Sequence, residues 1–258
     1  DISTIEAAAK KTFGAGMGPF ELMNVTGVPI AMHAANTLGA AFGPFYAPAE
    51  LLKKQVASGK NWELSGTPDP SKFDAVSARL LAVTFLVASS LADEGVGTKE
   101  DTDIGARVGL RWPRGPFEMI NRFGIKAAGD LVGQFGGGWD IPVPGDLSLQ
   151  WRANTPFAFS LVKSETNNGI ATLTVNRPDA MNALNETVVA QLHDAFKRAA
   201  ADPKVNGIVI AGAGKAFIAG ADIRFFVRNI QSGDLQRIVE FTKAGHALLK
   251  DIDTCAKP

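Results

Sequence analysis

One cysteine, one tyrosine and three histidines are all that a chain of 258 residues holds of these types. Cys255 has no second thiol for a disulfide and no sulfur companion for zinc, so a reducing, cytoplasmic setting is expected. His33, His193 and His246 fall one to a segment, without metal-ligand spacing or a nucleophile beside them. No metal site is expected, and each histidine reads as a surface or half-buried helix residue. An excess of charge is missing too, with 26 Lys and Arg against 26 Asp and Glu. Such a balance offers no general attraction to phosphate backbones or anionic lipid, which argues against nucleic acid as a partner.

Long apolar runs are also absent. The best stretch, LLAVTFLVASSLA from Leu80 to Ala92, falls short of the roughly 20 residues that span a bilayer and reads as a buried helix. The opening DISTIEAAAKK has no apolar signal core, and neither it nor the closing TCAKP looks like a natural terminus, so both ends read as cuts in a longer chain. What remains is 46% hydrophobic and 20% charged, ordinary for a globular chain of a length that favours two domains.

An internal repeat organises the first half. GPFELMNVTG from Gly18 to Gly27 returns as GPFEMINRFG from Gly115 to Gly124, without a gap and 97 residues on. Each Gly-Pro-Phe-Glu is a helix start: proline sets φ where no N–H is needed, and the first-turn glutamate complements the helix dipole. The phenylalanine should then enter the core. Between the copies, Val76, Leu80, Val83, Val87 and Leu91 recur at three and four residues and mark the packed face of a helix from Phe73 to Ala92. Residues 1–135 therefore read as helical, and the Gly- and Pro-rich, aperiodic 136–160 as a linker.

From there the period changes. Gly169 to Val175 alternates like a strand and stops at Asn176-Arg177-Pro178. Asn185 is placed to cap a helix whose apolar face carries Val188, Val189, Leu192, Ala195, Phe196 and Ala199 before Asp202-Pro203 ends it. Ile208-Val209-Ile210 reads as a buried parallel strand and Leu235 to Ile252 as a further helix. The expected class is thus α followed by α/β, with the second domain at 161–258.

The residues of the second half carry a family likeness. NRPDAMNALN at 176–185 and GKAFIAGADI at 214–223, in this order of strands and helices, resemble the N-terminal half of a crotonase (ClpP-like) domain, the enoyl-CoA hydratase fold. In that family two backbone N–H groups polarise the thioester carbonyl, where negative charge gathers during the reaction. The resemblance implies that Ala221 is one donor and that coenzyme A lies along Asp179, Ala180, Met181, Ala219, Asp222 and Ile223. Some relatives carry Lys where Asp179 stands. The second donor and the two catalytic carboxylates would lie beyond Pro258, so this segment alone is expected to be inactive, and hydration and isomerisation stay open as alternatives.

The repeat has its own likeness. GAGMGPFELMNVTG and GLRWPRGPFEMINRFG resemble the two copies of the helical C-terminal domain of 3-hydroxyacyl-CoA dehydrogenases found in long fused polypeptides. In that family the domain closes over acyl-CoA held on a separate NAD-binding domain, which would precede Asp1 with its catalytic residues and the substrate-contacting Asn. Where the second copy should show Asn-Arg-Leu-Leu it has Ala78-Arg79-Leu80-Leu81, which implies a structural role there. Together the resemblances imply a β-oxidation enzyme using NAD and an acyl-CoA substrate. Completion would come from the same polypeptide or an oligomer. The alternative is a non-catalytic CoA-binding or assembly segment.

Three other signals are weaker. Gly14 to Gly18 is not preceded by the strand a dinucleotide loop needs, and GAGK at 212–215 lacks the Ser or Thr of a P-loop. Arg111-Trp112-Pro113-Arg114 offers a small anion site but reads first as a loop leading into Gly-Pro-Phe-Glu.

Overall fold

The computed structural model describes residues 1–258, which fall into two units, Asp1–Phe157 and Ala158–Pro258. In the first, α1 (Ile2–Phe13), α2 (Pro19–Thr26), α3 (Val28–Phe42) and α4 (Glu50–Ser58) precede a long helix, α5 (Phe73–Asp93). The four then recur as α6 (Lys99–Gly109), α7 (Pro116–Phe123), α8 (Ile125–Gly137) and α9 (Gly145–Ala153).

The duplication reaches single hydrogen bonds. Asp1 caps α1 by accepting from the Thr4 N–H, and Thr98, 97 residues on, caps α6 by accepting from the Asp101 N–H. In α2, Asn24 Nδ2 donates to Trp62 O at 2.9 Å and Asn24 Oδ1 accepts from Trp62 N at 2.7 Å. Asn121 in α7 holds Phe157 in the same two-way grip, at 2.9 and 2.8 Å. The rings follow suit, with Phe20 edge-on to Trp62 at 4.9 Å and Phe117 edge-on to Phe157 at 5.0 Å.

The Gly-Pro-Phe-Glu helix starts are where the sequence placed them, but the anion over their N–H groups comes from elsewhere. Glu6 in α1 accepts from the N–H groups of Phe20 and Glu21, and Asp103 in α6 from those of Phe117 and Glu118, at 2.7 and 2.9 Å. Gly18 and Gly115 must be glycine for this approach, because a Cβ on either would run into the carboxylate. Asp103 is almost fully buried, and burial raises its pKa to about 6 although both amides and Arg107 pull the other way.

The two copies are not packed alike. Phe117 is fully buried as expected, whereas Phe20 is only half-buried. The reason is α5, which lies on α7, α8 and α9 of the second copy and touches the first mainly through α1. Its Ala82, Phe85, Leu86, Ala88 and Ser89 are buried, and each large apolar side chain so covered contributes about 1.5–3 kcal/mol. The helix including its leading turn, Pro70–Asp93, extends beyond the apolar run, and its most apolar 18 residues have a mean hydropathy of 1.8, so by length and composition it passes for a membrane span. In this fold it is the central helix of its unit.

Residues 136–160, expected to be a linker, contain a packed helix. α9 sits on α8 and α5 with Leu147 fully buried, and Gly129 of α8 has no side chain because Trp151 of α9 occupies its place. No period shows in the sequence because nine residues bury one position only.

In the second unit, β1 (Val162–Asn167) and β2 (Ile170–Val175) form an antiparallel hairpin. After α10 (Glu186–Ala201), β3 (Gly207–Gly212) joins β2 in parallel, giving the order β1-β2-β3. α11 (Ile223–Gln231) and α12 (Leu235–Asp253) complete the unit. The side chains of Leu173, Val175, Val188, Val189, Leu192, Phe196, Phe225 and Leu248 build one core from sheet and helices. Asn185 caps α10 as expected, its side chain accepting from the Val188 N–H at 2.9 Å. β1 was not foreseen, since only Val162 of its six residues is buried.

Candidate functional site

The carboxyl ends of β2 and β3 each open into a loop, and the two loops lie against one another. The first runs from Asn176 to Asn185 through a short 3-10 turn at Pro178–Ala180; the second runs from Ala213 to Asp222. In α/β folds this end of the sheet is where ligands bind.

Three sets of bonds fasten the loops. Leu184 N donates to Gly220 O and Asp222 N to Leu184 O, each at 2.8 Å, making one parallel bridge between Leu184 and Ala221. Ala219 N donates to Met181 O at 3.1 Å. Asn182, fully buried and held at φ 56°, accepts from Arg177 N through Oδ1 at 2.8 Å while its Nδ2 donates to Ala213 O and Ala216 O, both at 2.8 Å. That one amide satisfies three backbone groups in two loops. Gly212 makes the turn possible, since a Cβ there would meet the carbonyls of Ala216 and Phe217.

An ion pair closes the arrangement. Arg177 donates through one nitrogen to Ala183 O at 2.6 Å and through the other to Asp222 Oδ2 at 2.9 Å, with both side chains largely buried. Asp222 Oδ1 also caps α11 by accepting from Arg224 N at 3.0 Å. Burial alone would push the Asp222 pKa up; the hydrogen bond and charge of Arg177, with help from Arg224, outweigh it and hold the carboxyl below its ordinary range.

The residues singled out in the sequence converge here. Ala219, Ala221, Asp222 and Ile223 follow one another along the second loop, and Met181 faces them across the Ala219 bond. Asp179 and Ala180 lie in the 3-10 turn, Asp179 exposed. Ala221 is exposed, and its N–H takes no part in the bonds between the loops, which use its neighbours Gly220 and Asp222. Met181, Phe217 and Ile223, on the same two loops and the helix start that follows, expose 63%, 60% and 75% of their surface. Sequence reasoning missed Arg177 and Asn182. Their signal was an Asn-Arg-Pro turn with a second Asn five residues after the Arg.

Comparison with known proteins finds a similar family for one segment of each unit. Residues 170–258 match the enoyl-CoA hydratase/isomerase family, and residues 1–68 match the 3-hydroxyacyl-CoA dehydrogenase C-terminal domain. Each match covers a segment shorter than half of the chain. The hydratase/isomerase segment contains both loops, and the dehydrogenase segment contains the first helical copy.

Among relatives of the hydratase segment, a crotonyl-CoA hydratase of Syntrophomonas wolfei is 35% identical over 102 residues, covering 39% of this chain and 38% of its own. A probable 3-hydroxyisobutyryl-CoA hydrolase of Arabidopsis thaliana is 38% identical over 99 residues, 38% of this chain and 26% of its own. A solved enoyl-CoA hydratase/isomerase from Mycobacterium paratuberculosis is 42% identical with a TM-score of 0.25, covering 26% of each chain. The chain thus spans about a quarter to two-fifths of the length of these proteins.

Proposed function

We propose that this chain is part of a β-oxidation-type enzyme that hydrates trans-2-enoyl-CoA and oxidises the resulting 3-hydroxyacyl-CoA with NAD. The observation that carries the reading is the exposed Ala221, whose N–H stays out of the backbone bonds that clamp the loops on either side of it. In this reading it donates to the thioester oxygen as negative charge gathers there. A preorganised amide of this kind does not have to reorient during the reaction. The second donor, the carboxylates that handle water and proton, and the NAD site belong to parts of the enzyme outside these 258 residues.

Coenzyme A would lie along Asp179, Ala180, Met181, Ala219, Asp222 and Ile223. The N–H of Ala219 is already given to Met181 O, so its contribution is its carbonyl and its small side chain. Met181 and Ile223 would cover the pantetheine arm, which removes their apolar surface from water. The rest of the same polypeptide, or another subunit of a cytoplasmic oligomer, would complete the half-domain.

The test is CoA binding to the 258-residue chain by calorimetry. Met181→Glu and Ile223→Glu should each weaken binding at least fivefold, and the chain should not hydrate crotonyl-CoA. Turnover by the chain, or undiminished binding in both variants, overturns the assignment. A second reading keeps the site and changes the reaction to isomerisation or thioester hydrolysis, favoured by the hydrolase among the relatives. NADH formed from crotonyl-CoA and NAD by the longer polypeptide decides for the first reading; without NADH, a shifted double bond on an intact thioester or loss of the thioester decides for the second.

A further inference from the structure

We propose that the cleft between the two helical copies binds a small amphipathic anion, a short- to medium-chain fatty carboxylate. The cleft has a volume of about 300 Å³ and opens between the end of α1, the middle of α5 and the segment that leads into α7. It plays no part in the function proposed above and does not depend on it.

Its wall is apolar. Leu81 and Phe85 of α5 and Met119 and Phe123 of α7 line it, with Phe85 fully buried. Its rim is basic, carrying Lys11 from the first copy and Arg114 and Arg122 from the second. The copies are locked together at this point: Phe13 stacks on Trp112 at 4.3 Å with planes 9° apart, and Gly14 lacks the Cβ that would strike Pro113. The Arg-Trp-Pro-Arg string thus folds into a rim rather than a free loop.

The charges on that rim are unevenly committed. Glu118 lies 3.5 Å from Arg114 and draws on it in part. Lys11 sits over the Phe73 ring at 5.7 Å and forms no ion pair, and Arg122 forms none either. Two cations beside an apolar wall match a ligand with one anionic head and a hydrocarbon tail. A guanidinium pairs with a carboxylate through two parallel hydrogen bonds, and the tail gains by leaving water. Pockets for small molecules run from about 300 to 1,000 Å³, so this one takes a short tail and not a whole acyl-CoA.

Calorimetric titration of the 258-residue chain with octanoate tests the site. One saturable site is expected. Lys11→Glu and Arg122→Glu, both exposed, should each weaken binding at least tenfold with an unchanged circular dichroism spectrum. Octanamide, with the same tail and no charge, should also bind at least tenfold more weakly, and inorganic phosphate should not compete. The proposal fails if octanoate shows no saturable heat, if either charge variant binds as the parent does, if octanamide matches octanoate, or if phosphate binds as tightly.

Discussion

The guanidinium of Arg177 and the carboxylate of Asp222, 45 residues apart in sequence, meet at 2.9 Å with 15% and 10% of their side chains exposed. Each partner has a second duty. Arg177 holds Ala183 O on the first loop, and Asp222 caps the helix that leaves the second. The pair fixes the relative position of the strands of backbone that carry Met181 and Ala221.

Breaking the pair should therefore be felt in stability and in the site together. Arg177→Ala leaves the Asp222 carboxylate with only Arg224 beside it and should cost about 1–3 kcal/mol, read from urea unfolding. Because the Asp222 pKa is lowered in the fold, its contribution is present above the ordinary carboxylate range and is lost as pH falls through its folded value. Asp222→Asn should thus lie below the parent at pH 7 and converge toward it in acid. A constant gap between the two across this range would contradict the assignment.

Asn182 offers a sharper local test. Asn182→Ala removes all three of its hydrogen bonds and strands the carbonyls of Ala213 and Ala216; at about 1–3 kcal/mol for a stranded buried group, the loss should be several kcal/mol. Asn182→Asp should do at least as much harm, because a carboxylate oxygen would face those two carbonyls. Amide exchange in Ala213–Asp222 should speed up in both variants more than in β2.

Asp103 predicts the opposite pH dependence. Its folded pKa of about 6 lies above the ordinary value of 3.8, so its stabilising effect is complete below 3.8 and is lost as pH rises through about 6. The swing is at most about 3 kcal/mol. Asp103→Asn should flatten the stability profile between pH 4 and 7, as measured by chemical denaturation of both proteins at each pH. An unchanged slope in the variant would place the titration elsewhere.

The glycines of the repeat separate packing from chance. Gly18→Ala and Gly115→Ala push a methyl group into Glu6 and Asp103 and should destabilise by about 1–3 kcal/mol, as overpacked sites do. Gly16→Ala, with open space around its Cβ position, should leave the melting temperature within a degree or two of the parent. Equal effects at Gly16 and Gly115 would remove the carboxylate contact as the explanation.

Much of this was legible from periodicity and punctuation. The apolar stripe of α10, its Asn185 cap and its end at Asp202-Pro203 are local facts, and the structure realises each. So is the Gly-Pro helix start, since proline and glycine act through their own φ and their own missing atoms. β1 was illegible because KSETN alternates nothing, and its strand conformation comes from pairing with β2. α9 was illegible because it is short and buries only Leu147.

By itself, the sequence determined the elements with a clear apolar period or cap, the 97-residue repeat and the two loops bearing the family motifs, because each element and turn rests on neighbours within a few residues. Only the tertiary structure decided that Glu6 and Asp103 receive the next helix's N–H groups, that Asn182 joins two loops and that Arg177 meets Asp222. A charged residue in a helix pattern looks like a solvated one until the fold brings a donor 14 or 45 residues away within 3 Å. The physical reason is that a hydrogen bond is specific in space and silent in sequence, whereas burial, capping and backbone freedom repeat with the period of the helix or strand that needs them.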